Sequence, residues 1–321
     1  EESQLQTSGT LTVTDVDTGE AHFSNTDIAG NLGTLHLTDS GAWTYDLDNT
    51  NPTVQALGQG ATATDTITVH SADGTTHKVT ITINGTNDLP TISGTATASV
   101  TEAGSVNSGV VGASGSLHAI DPDTGDTLVW SVTQSHGVYG SLTIDQNGRW
   151  QYQLDNSNSA TNALSHNQKV SETFTITATD SSNKPVQQTV TIGVTGSNDA
   201  ATVSSATVAI DETDKAVTTS GTLTSTDVDN PDNTFTPDAI SGANGDLTID
   251  ANGHWVFTAN SAFNQLNVGD KVEEIFTVTS VDGTPSTIKV TINGTNDKAT
   301  VSSATVAIDE TDKAVTTSGT L

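Results

Sequence analysis

The sequence predicts an all-β protein made of tandem immunoglobulin-like β-sandwich modules, joined end to end by short Asn-Asp linkers. Three observations predict this fold: a repeat of about 100 residues, apolar residues that alternate with polar ones, and a composition rich in turn formers. The chain has 321 residues, of which 28 are glycine and 32% are hydrophobic. Because a half-buried strand buries only every second side chain, this apolar content suits several thin sandwiches better than one large core.

The repeat sets the module boundaries. Residues 201–223 recur letter for letter as residues 299–321, and the linker string NGTND occurs at 84–88 and again at 293–297. These copies predict modules at 1–88, 89–199 and 200–297, and the first strands of a further, truncated module at 298–321. The first module lacks the opening strand that the others have. Met is absent, also from position 1, which predicts that the chain is a segment of a longer protein.

Two strands close each module. The last strand alternates apolar and polar residues, as at Val79, Ile81 and Ile83, and the strand before it does the same. This period of two is typical of strands with one buried face. Asp-Gly between the two strands, at 73–74 in the first module and 282–283 in the third, predicts a hairpin turn. No segment shows the 3.6-residue apolar period of an amphipathic helix.

A second hairpin carries a repeated aromatic motif. Residues 33–43, 140–150 and 245–255 match one another, and each ends in Trp, with Tyr45, Tyr152 or Phe257 two residues later. Side chains two residues apart on a strand share a face. Both rings are therefore predicted to lie in the core of a sandwich rather than to form a platform for sugars.

The charge excludes several classes of function. Asp and Glu number 38 against 9 Lys and Arg, which gives a net charge of −29. There is no basic stripe for nucleic acid or for direct contact with an anionic membrane.

Missing residues and motifs exclude further classes of site. Cys is absent, which excludes disulfides and thiolate-bound zinc. The sequence contains no nucleophile elbow, zinc-protease motif or phosphate-binding loop, so no enzyme is predicted.

The acidic residues recur in register from module to module. They follow the first strand, form an Asp-x-Asp pair, end the penultimate strand and close the linker. Crowded carboxylates repel one another unless a cation lies between them, and Ca²⁺ prefers oxygen ligands, so we predict calcium at the module junctions. The predicted ligands are Asp15, Asp17, Asp73, Asp88, Glu102, Asp121, Asp123, Asp180, Asp199, Glu212, Asp227, Asp229, Asp282 and Asp297, with Glu1 or Glu2 as the first module's counterpart of Glu102. Turn capping and solubility are the alternative explanation for these acids, although neither requires register.

The sequence also contains candidates for a binding surface, a second metal site and self-association. The middle module is the longest, and its Trp130 and Tyr139 are candidates for a glycan- or protein-binding surface. His70 and His77 lie equally far from the turn at 73–74 and are candidates for a two-ligand metal site across the hairpin. Residues 299–321 match the strand that the first module lacks, so they are candidates to complete the first module of another copy by strand addition.

The linkers carry a resemblance to a known family. NGTNDLP at 84–90, TGSNDA at 195–200 and NGTNDKA at 293–299, together with TDVDTG at 14–19 and TDVDN at 226–230, resemble the VCBS repeats of giant bacterial surface proteins, which include the repeats-in-toxin adhesins. The Asn-Asp linker is also similar to the junction between cadherin-like domains. The resemblance implies an extender at the bacterial cell surface, outside the cell, that projects distal binding domains for adhesion or biofilm formation.

The same resemblance implies that calcium stiffens the array at the linkers. In the second module it assigns calcium ligation to Glu102, Asp121, Asp123, Asp180 and Asp199. In the third module the matching residues are Glu212, Asp227, Asp229, Asp282 and Asp297. The partners implied are the adjacent modules of the same chain.

Overall fold

The structure of the chain, a computed structural model, describes residues 5–105, 107–230 and 233–320. This part is almost entirely β, as predicted, and its residues divide into two compact units: residues 5–103 with 107–197, and residues 104–105 with 198–230 and 233–320. None of the helices in the described part is long and apolar enough to cross a membrane. Glu1 and Glu2, candidates for the first acid of the first module, lie outside the described residues.

The first unit contains two sandwiches. The first is built from β1 (Gln6–Thr10), β2 (Thr26–Ala29), β3 (Gly33–Leu37), β4 (Ala42–Leu47), α1 (Pro52–Gln55), β5 (Thr62–His70) and β6 (Thr76–Asn84). One sheet has the order β1-β4-β3-β2, and the other is the hairpin of β5 and β6. The second sandwich is built from β7 (Thr91–Gly94), β8 (Thr97–Thr101), β9 (Gly112–Ile120), β10 (Val129–Val132), β11 (Gly140–Ile144), β12 (Arg149–Leu154), α2 (Ser159–Asn162), β13 (Lys169–Thr179) and β14 (Pro185–Thr195). Its sheets have the orders β10-β13-β14-β8 and β11-β12-β9-β7.

The second unit contains the third sandwich. Its strands are β15 (Thr202–Val203), β16 (Ala206–Asp211), β17 (Thr218–Thr222), β18 (Ser225–Thr226), β19 (Asp238–Ser241), β20 (Gly245–Ile249), β21 (His254–Ala259), β22 (Lys271–Thr279) and β23 (Pro285–Asn293). They form sheets of order β16-β23-β22 and β17-β21-β20-β19, with β15 and β18 as a short separate pair. The order β16-β23-β22 repeats that of β8, β14 and β13 in the second sandwich, and the order β17-β21-β20-β19 repeats the β1-β4-β3-β2 sheet of the first.

The closing hairpins follow local turn chemistry. β5 and β6 turn at Asp73 and Gly74, and β22 and β23 turn at Asp282 and Gly283, with φ of +87° and +91° at the two glycines. Glycine adopts this left-handed conformation without strain. Both predicted turns are therefore confirmed.

A strand near the start of the second and third sandwiches pairs in parallel with the last strand of the same sandwich. β8 pairs with β14 and β16 pairs with β23, and we call β8 and β16 the closing strands. In the third sandwich the register runs from Ala206 opposite Ile288 to Asp211 opposite Asn293. In the first sandwich, the residues that the structure describes place only β5 beside β6.

Each sandwich has its own hydrophobic core. Buried apolar side chains form three separate clusters, within residues 11–83, 92–194 and 203–292. The aromatic motif is confirmed as core at Tyr45, Trp150 and Tyr152, and again at Trp255 and Phe257, all of which are buried. The Trp of the first sandwich is half-buried.

The indole ring of this motif covers a glycine on the neighbouring strand. The cross-strand pairs are Gly9–Trp43, Gly115–Trp150 and Gly221–Trp255. An ideal Cβ on Gly115 would lie 2.5 Å from the Cζ2 atom of its partner, and the distance is 2.6 Å for the other two pairs. These distances are too short for any side chain, so the ring requires glycine in each repeat.

Two short helices lie between the strands. α1 and α2 have 4 residues each, and each begins at an asparagine cap. Asn51 Oδ1 accepts the Thr53 N–H over 2.9 Å, and Asn158 Oδ1 accepts the Ala160 N–H over 2.8 Å. Helices this short cannot show an apolar period, so the cap is their only signal.

Candidate metal centre at the first linker

The Asp-x-Asp pairs form the same turn in all three sandwiches. The first carboxylate accepts the N–H of the second aspartate, over 2.8 Å in Asp15–Asp17, 3.0 Å in Asp121–Asp123 and 3.1 Å in Asp227–Asp229. An aspartate readily accepts an N–H two residues ahead, so the turn is a local property of the motif. It holds the two carboxylates of each pair close together.

Three acids of the second sandwich converge near the first linker. Carboxylate oxygens of Asp121, Asp126 and Asp180 all lie within 4.8 Å of one another. Two negative charges at this separation repel by about 3 kcal/mol at an effective dielectric constant of about 20. The cluster is therefore unfavourable unless a proton or a cation neutralises it.

The linker is bound to the same carboxylates. The Asp88 N–H donates to Asp123 Oδ2 over 3.0 Å, and Asn87 Nδ2 donates to Asp180 Oδ2 over 3.0 Å. The first sandwich also contacts the loop that carries Asp121 and Asp126. The Ala56 carbonyl, at the end of α1, accepts the Thr124 N–H of this loop over 3.0 Å. The acidic cluster thus lies where the first and second sandwiches meet.

Several oxygens here are buried without a hydrogen-bond partner among the described residues. They are Asn87 Oδ1, Asp121 Oδ2, Asp123 Oδ1 and Asp126 Oδ2. Each such atom costs about 1–3 kcal/mol, and more if it is charged, and native proteins contain few of them. Carboxylate and amide oxygens are the ligands that Ca²⁺ prefers, so the residues at this site fit that ion.

Burial and mutual repulsion raise the pKa values of Asp121 and Asp123. For Asp121, burial is the largest cause, and the charges of Asp123, Asp126 and Asp180 add to it. For Asp123, burial is again the largest cause; the Asp88 N–H opposes it, and the nearby carboxylates reinforce it. These raised pKa values express the cost of collecting negative charge at one place, and a divalent cation removes that cost.

Asp180 lies at a position different from the one that its spacing indicated. The sequence groups it with Asp73 and Asp282 at the end of the penultimate strand. The hairpin register instead aligns it with Ser71 and Ser280, two residues earlier in the turn. Each of these three residues donates its backbone N–H to the residue four positions ahead. The grouping of the three aspartates was therefore wrong, although Asp180 does lie in the cluster.

The carboxylates of Asp73 and Asp282 are engaged by their own turns. Each accepts the hydroxyl of the serine two residues before it, and the N–H and hydroxyl of the threonine two residues after it. Asp282 also accepts the linker N–H of Ala201 over 2.9 Å. The corresponding residue of the first linker, Pro90, has no N–H to donate. Metal ligation by Asp73 or Asp282 stays a prediction. A bound ion would have to compete with these hydrogen bonds for the carboxylate oxygens.

The turn around Asp73 makes a prediction about acid stability. Its hydrogen bonds, first that of Ser71 and then those of Thr75, lower the pKa of Asp73 from 3.8 to about 2. Because the folded-state pKa is the lower one, the ionised carboxylate stabilises the fold above about pH 4, and this contribution is lost as the pH falls towards about 2. We expect Asp73→Asn to lower the free energy of unfolding at neutral pH, with a difference from wild type that shrinks over that range. Denaturant titrations at several pH values measure it, and a difference independent of pH would contradict it.

The predicted acids after the closing strands are buried beside the linkers. Glu102 Oε2 accepts the Ser197 N–H over 3.1 Å. Glu212 Oε1 accepts the N–H and hydroxyl of Thr295 over 3.0 Å and 3.1 Å, and its Oε2 is buried without a hydrogen-bond partner in the described part of the chain. Asp297 itself is exposed, and its pKa is raised by the partial loss of hydration beside the protein and then by the charges of Glu212 and Asp214.

In the second unit, part of the same arrangement recurs. The Asp199 N–H donates to Asp229 Oδ2 over 3.3 Å, as the corresponding residues do in the first unit. Burial, followed by the charge of Asp227, raises the pKa of Asp199. Burial and the contact with Asp227 also raise the pKa of Asp229. Asp199 and Asp229 thus share with Asp121 and Asp123 a pKa that burial and a neighbouring carboxylate raise.

Two residues of the cluster were not among the predicted ligands. The first is Asp126, which follows the Asp-x-Asp pair by three residues. Glu20 has the same place in the first sandwich, where carboxylate oxygens of Asp15, Asp17 and Glu20 also lie within 4.8 Å of one another, at the surface. An acid three residues after the pair is therefore the sequence feature that could have identified Asp126. Asn87 was signalled only by the recurrence of asparagine in all three linkers.

A further recurring acid serves the fold rather than the junction. Near the start of each penultimate strand, a carboxylate accepts two consecutive backbone N–H groups from a Gly-x-x-Gly bend. The acceptors and donors are Asp65 with Asn31 and Leu32, Glu172 with Val138 and Tyr139, and Glu274 with Ala243 and Asn244. Tyr45 and Tyr152 add a hydroxyl in the first two sandwiches.

The structure does not favour the other two candidate sites. Trp130 and Tyr139 are half-buried and pack against the core of the second sandwich, so they do not form an exposed aromatic platform. The hairpin register pairs His77 with Val69 and His70 with Thr76. Because neighbouring residues of a strand point to opposite faces, the prediction that the two histidines face each other is wrong.

Two of the solved structures that are similar to this chain come from cadherin proteins. The structure of protocadherin gammaB7 EC3–6, a cis-dimer, matches with 14% sequence identity and a TM-score of 0.50, over 90% of this chain and 69% of that chain. Mouse cadherin-23 EC22–24 matches with 16% identity and a TM-score of 0.47, over 90% of this chain and 92% of that chain. Because the sequence identity is only 14%, the similarity to protocadherin gammaB7 concerns the fold alone. No curated protein sequence gives a significant match.

The family is shown by the sequence itself. The profile of the bacterial cadherin-like domain matches three times, over residues 1–85, 87–196 and 198–294. Together these segments account for most of the chain, and each break between them falls in a linker. The chain therefore belongs to the bacterial cadherin-like domain family and carries three tandem copies of that domain.

Proposed function

We propose that this chain is an extender segment of a secreted bacterial surface adhesin of the repeats-in-toxin type, with a first junction that calcium makes rigid. Cadherin-like domains are structural adhesion modules rather than enzymes, and tandem copies suit an extender. The proposal rests mainly on the convergence of Asp121, Asp126 and Asp180 at the linker. The role of the parent protein would be cell adhesion or biofilm formation.

Calcium would be held by oxygens of Asn87, Asp121, Asp123, Asp126 and Asp180. The bound ion supplies positive charge where carboxylates otherwise repel one another. Asn87 is the key residue of this set, because it belongs to the linker and follows the end of β6 by three residues. Binding of Asn87 and the carboxylates to one ion would fix the linker to the second sandwich and, through β6, fix the first sandwich as well.

The expected affinity links the site to its location. Extracellular calcium modules typically bind with a Kd of about 10⁻⁴–10⁻³ M. Such a site is filled by the calcium concentrations found outside cells and is empty at those of the cytoplasm. The junction would therefore become rigid only after secretion.

Removal of calcium tests the proposal. Calcium at about 100 times its Kd is expected to stabilise the first unit by about 2.7 kcal/mol. We expect a chelator to lower the Tm and to speed amide hydrogen exchange at residues 85–91, where the linker is held by the cluster. Calorimetric titration with calcium gives the affinity, and hydrogen exchange locates the change.

Single carboxylate replacements supply the matched comparison. Asp121→Asn and Asp126→Asn are each expected to weaken calcium binding by about tenfold or more, a loss of about 1.4 kcal/mol. Asp46→Asn removes the same charge from the exposed surface of β4 and is expected to leave the affinity unchanged. Equal stabilisation by sodium chloride at matched ionic strength would contradict the proposal, because it would assign the acids to general salt tolerance.

A further inference from the structure

We propose that Asp282 fixes the linker before the third sandwich through a direct hydrogen bond that needs no metal ion. The Ala201 N–H of this linker donates to Asp282 Oδ2 over 2.9 Å. Because Ala201 is buried, its N–H needs an acceptor inside the protein. Asp180 would instead fix the first linker through calcium, and this contrast rests on the proposed function, whereas the role of Asp282 does not.

The two aspartates have different places in turns of equal length. Residues 180–184 (DSSNK) and 280–284 (SVDGT) form the two turns, and each turn lies between a threonine and a proline that pair across the hairpin. Asp180 is the first residue of its turn, and Asp282 is the third residue of the other. In each turn, a serine occupies the place that the acid has in the other turn. The acid and the serine are therefore exchanged between the two sandwiches.

Four donors fill the carboxylate of Asp282. An ionised carboxylate offers about four acceptor positions. At Asp282 these positions receive the Ser280 hydroxyl, the N–H and hydroxyl of Thr284, at 3.0 Å and 2.6 Å, and the Ala201 N–H. A cation at this carboxylate would have to displace one of these donors. Asp282 is therefore better suited to hold the linker directly than to bind a metal.

The carboxylate of Asp180 is less fully engaged. Its Oδ1 accepts the Lys184 N–H over 2.7 Å, and its Oδ2 accepts Asn87 Nδ2 over 3.0 Å. Among the described residues, these two donors leave about two of the four acceptor positions for another partner. Carboxylate oxygens of Asp121 and Asp126 lie within 4.8 Å of it. Asp180 thus retains the capacity for a shared cation that Asp282 has lost.

The two linkers differ in the same way as the turns. Two residues after the linker aspartate, which is Asp88 in one linker and Asp199 in the other, the sequence has Pro90 and Ala201. Proline has no N–H, so a carboxylate placed like Asp282 could not bind the first linker by this hydrogen bond. The linker that contains the donor thus precedes the turn that supplies the acceptor, and the linker without it precedes the turn with the proposed metal ligand.

Residue-resolved amide hydrogen exchange of the whole chain, with calcium and with a chelator, tests the proposal. We expect the chelator to speed exchange of the Asp88 N–H by about tenfold or more and to leave exchange of the Ala201 N–H unchanged. Asp282→Asn weakens the acceptor and is expected to speed exchange at Ala201 by about tenfold or more, with calcium and with chelator alike. Thr284→Val removes a different donor of the same carboxylate and is expected to leave exchange at Ala201 unchanged.

The outcomes separate this proposal from the calcium site. If the chelator released Ala201 as much as Asp88, the direct hydrogen bond would be overturned as the linker's attachment and the calcium site would stand. Absence of calcium binding, together with release of Ala201 by Asp282→Asn, would contradict the calcium site and support the role of Asp282. Equal release by Asp282→Asn and Thr284→Val would overturn that role, because a loosened turn would then explain both.

A turn graft tests whether the two features are sufficient. Replacement of residues 180–184 by SVDGT, combined with Pro90→Ala, gives the first linker both the acceptor and the N–H. The flanking Thr–Pro pair is the same in both hairpins, so the graft preserves the register of β13 and β14. We expect protection of the residue-90 amide in chelator and a loss of calcium affinity of about tenfold or more, because Asp180 is absent. Fast exchange at residue 90 would count against the proposal.

Discussion

Replacement of Gly115 by alanine is expected to lower the free energy of unfolding of the second sandwich by about 2–3 kcal/mol. The added methyl group would lie 2.5 Å from Trp150 Cζ2. Trp150 cannot yield easily, because it is fully buried and its Nε1 donates to the Thr95 carbonyl over 2.8 Å. Overpacking of a rigid core typically costs this much. Denaturant unfolding, with hydrogen exchange to locate the loss in β9 and β12, measures the effect.

Two further variants separate overpacking from a general loss of strand stability. Ser114→Ala changes the exposed neighbouring residue on the other face of β9, and we expect a change below about 0.5 kcal/mol. In the double variant Gly115→Ala with Trp150→Phe, the smaller ring makes room for the methyl group. The double variant should then lose less free energy of unfolding than the two single variants lose in sum. Additive losses would show that the ring does not impose the glycine.

The largest single effect is expected from Asp65→Ala, at about 3–5 kcal/mol in the first sandwich. The carboxylate is fully buried and accepts the N–H groups of Asn31 and Leu32 and the hydroxyl of Tyr45 over 2.9–3.1 Å. Alanine leaves two buried donors, the Leu32 N–H and the Tyr45 hydroxyl, and one partly buried donor, the Asn31 N–H, without an acceptor, and each buried one costs about 1–3 kcal/mol. Denaturant unfolding of the whole chain, with hydrogen exchange in β3 and β5 as the local readout, measures the loss.

The third sandwich provides the control for this prediction. There, Phe257 occupies the place of the tyrosine, while Glu274 still binds its bend. Tyr45→Phe is therefore expected to cost only about 1 kcal/mol. If Tyr45→Phe and Asp65→Ala were equally damaging, the hydroxyl rather than the backbone of the bend would be the important partner of the carboxylate.

The fold was predictable because its determinants are local and repeated. Alternating apolar residues, the Asp-Gly turns and the aromatic pair two residues apart each act within one hairpin, and each was confirmed. The pairing of the parallel closing strands could not be predicted from local sequence, because it joins strands at the start and the end of a sandwich. The module limits drawn at residues 88, 199 and 297 stay predictions.

The candidate site was predictable in composition but not in detail. The sequence identified Asp121, Asp123 and Asp180 as acids of one kind of junction. It could not show that Asp180 lies two residues earlier in its turn than Asp73 does, because loops of similar length hide such a shift. It also could not separate acids that bind backbone N–H groups, such as Asp65, from acids whose oxygens lack partners. That distinction depends on contacts between distant parts of the chain.

The parallel closing strands have a mechanical consequence. After the short β7, the chain runs into the second sandwich through β8 and leaves it through β14, and these strands are paired side by side over residues 97–101 and 191–195. Tension on the two ends would slide one strand along the other, so the hydrogen bonds between them would bear the load together instead of opening singly. The third sandwich has the same shear geometry through β16 and β23.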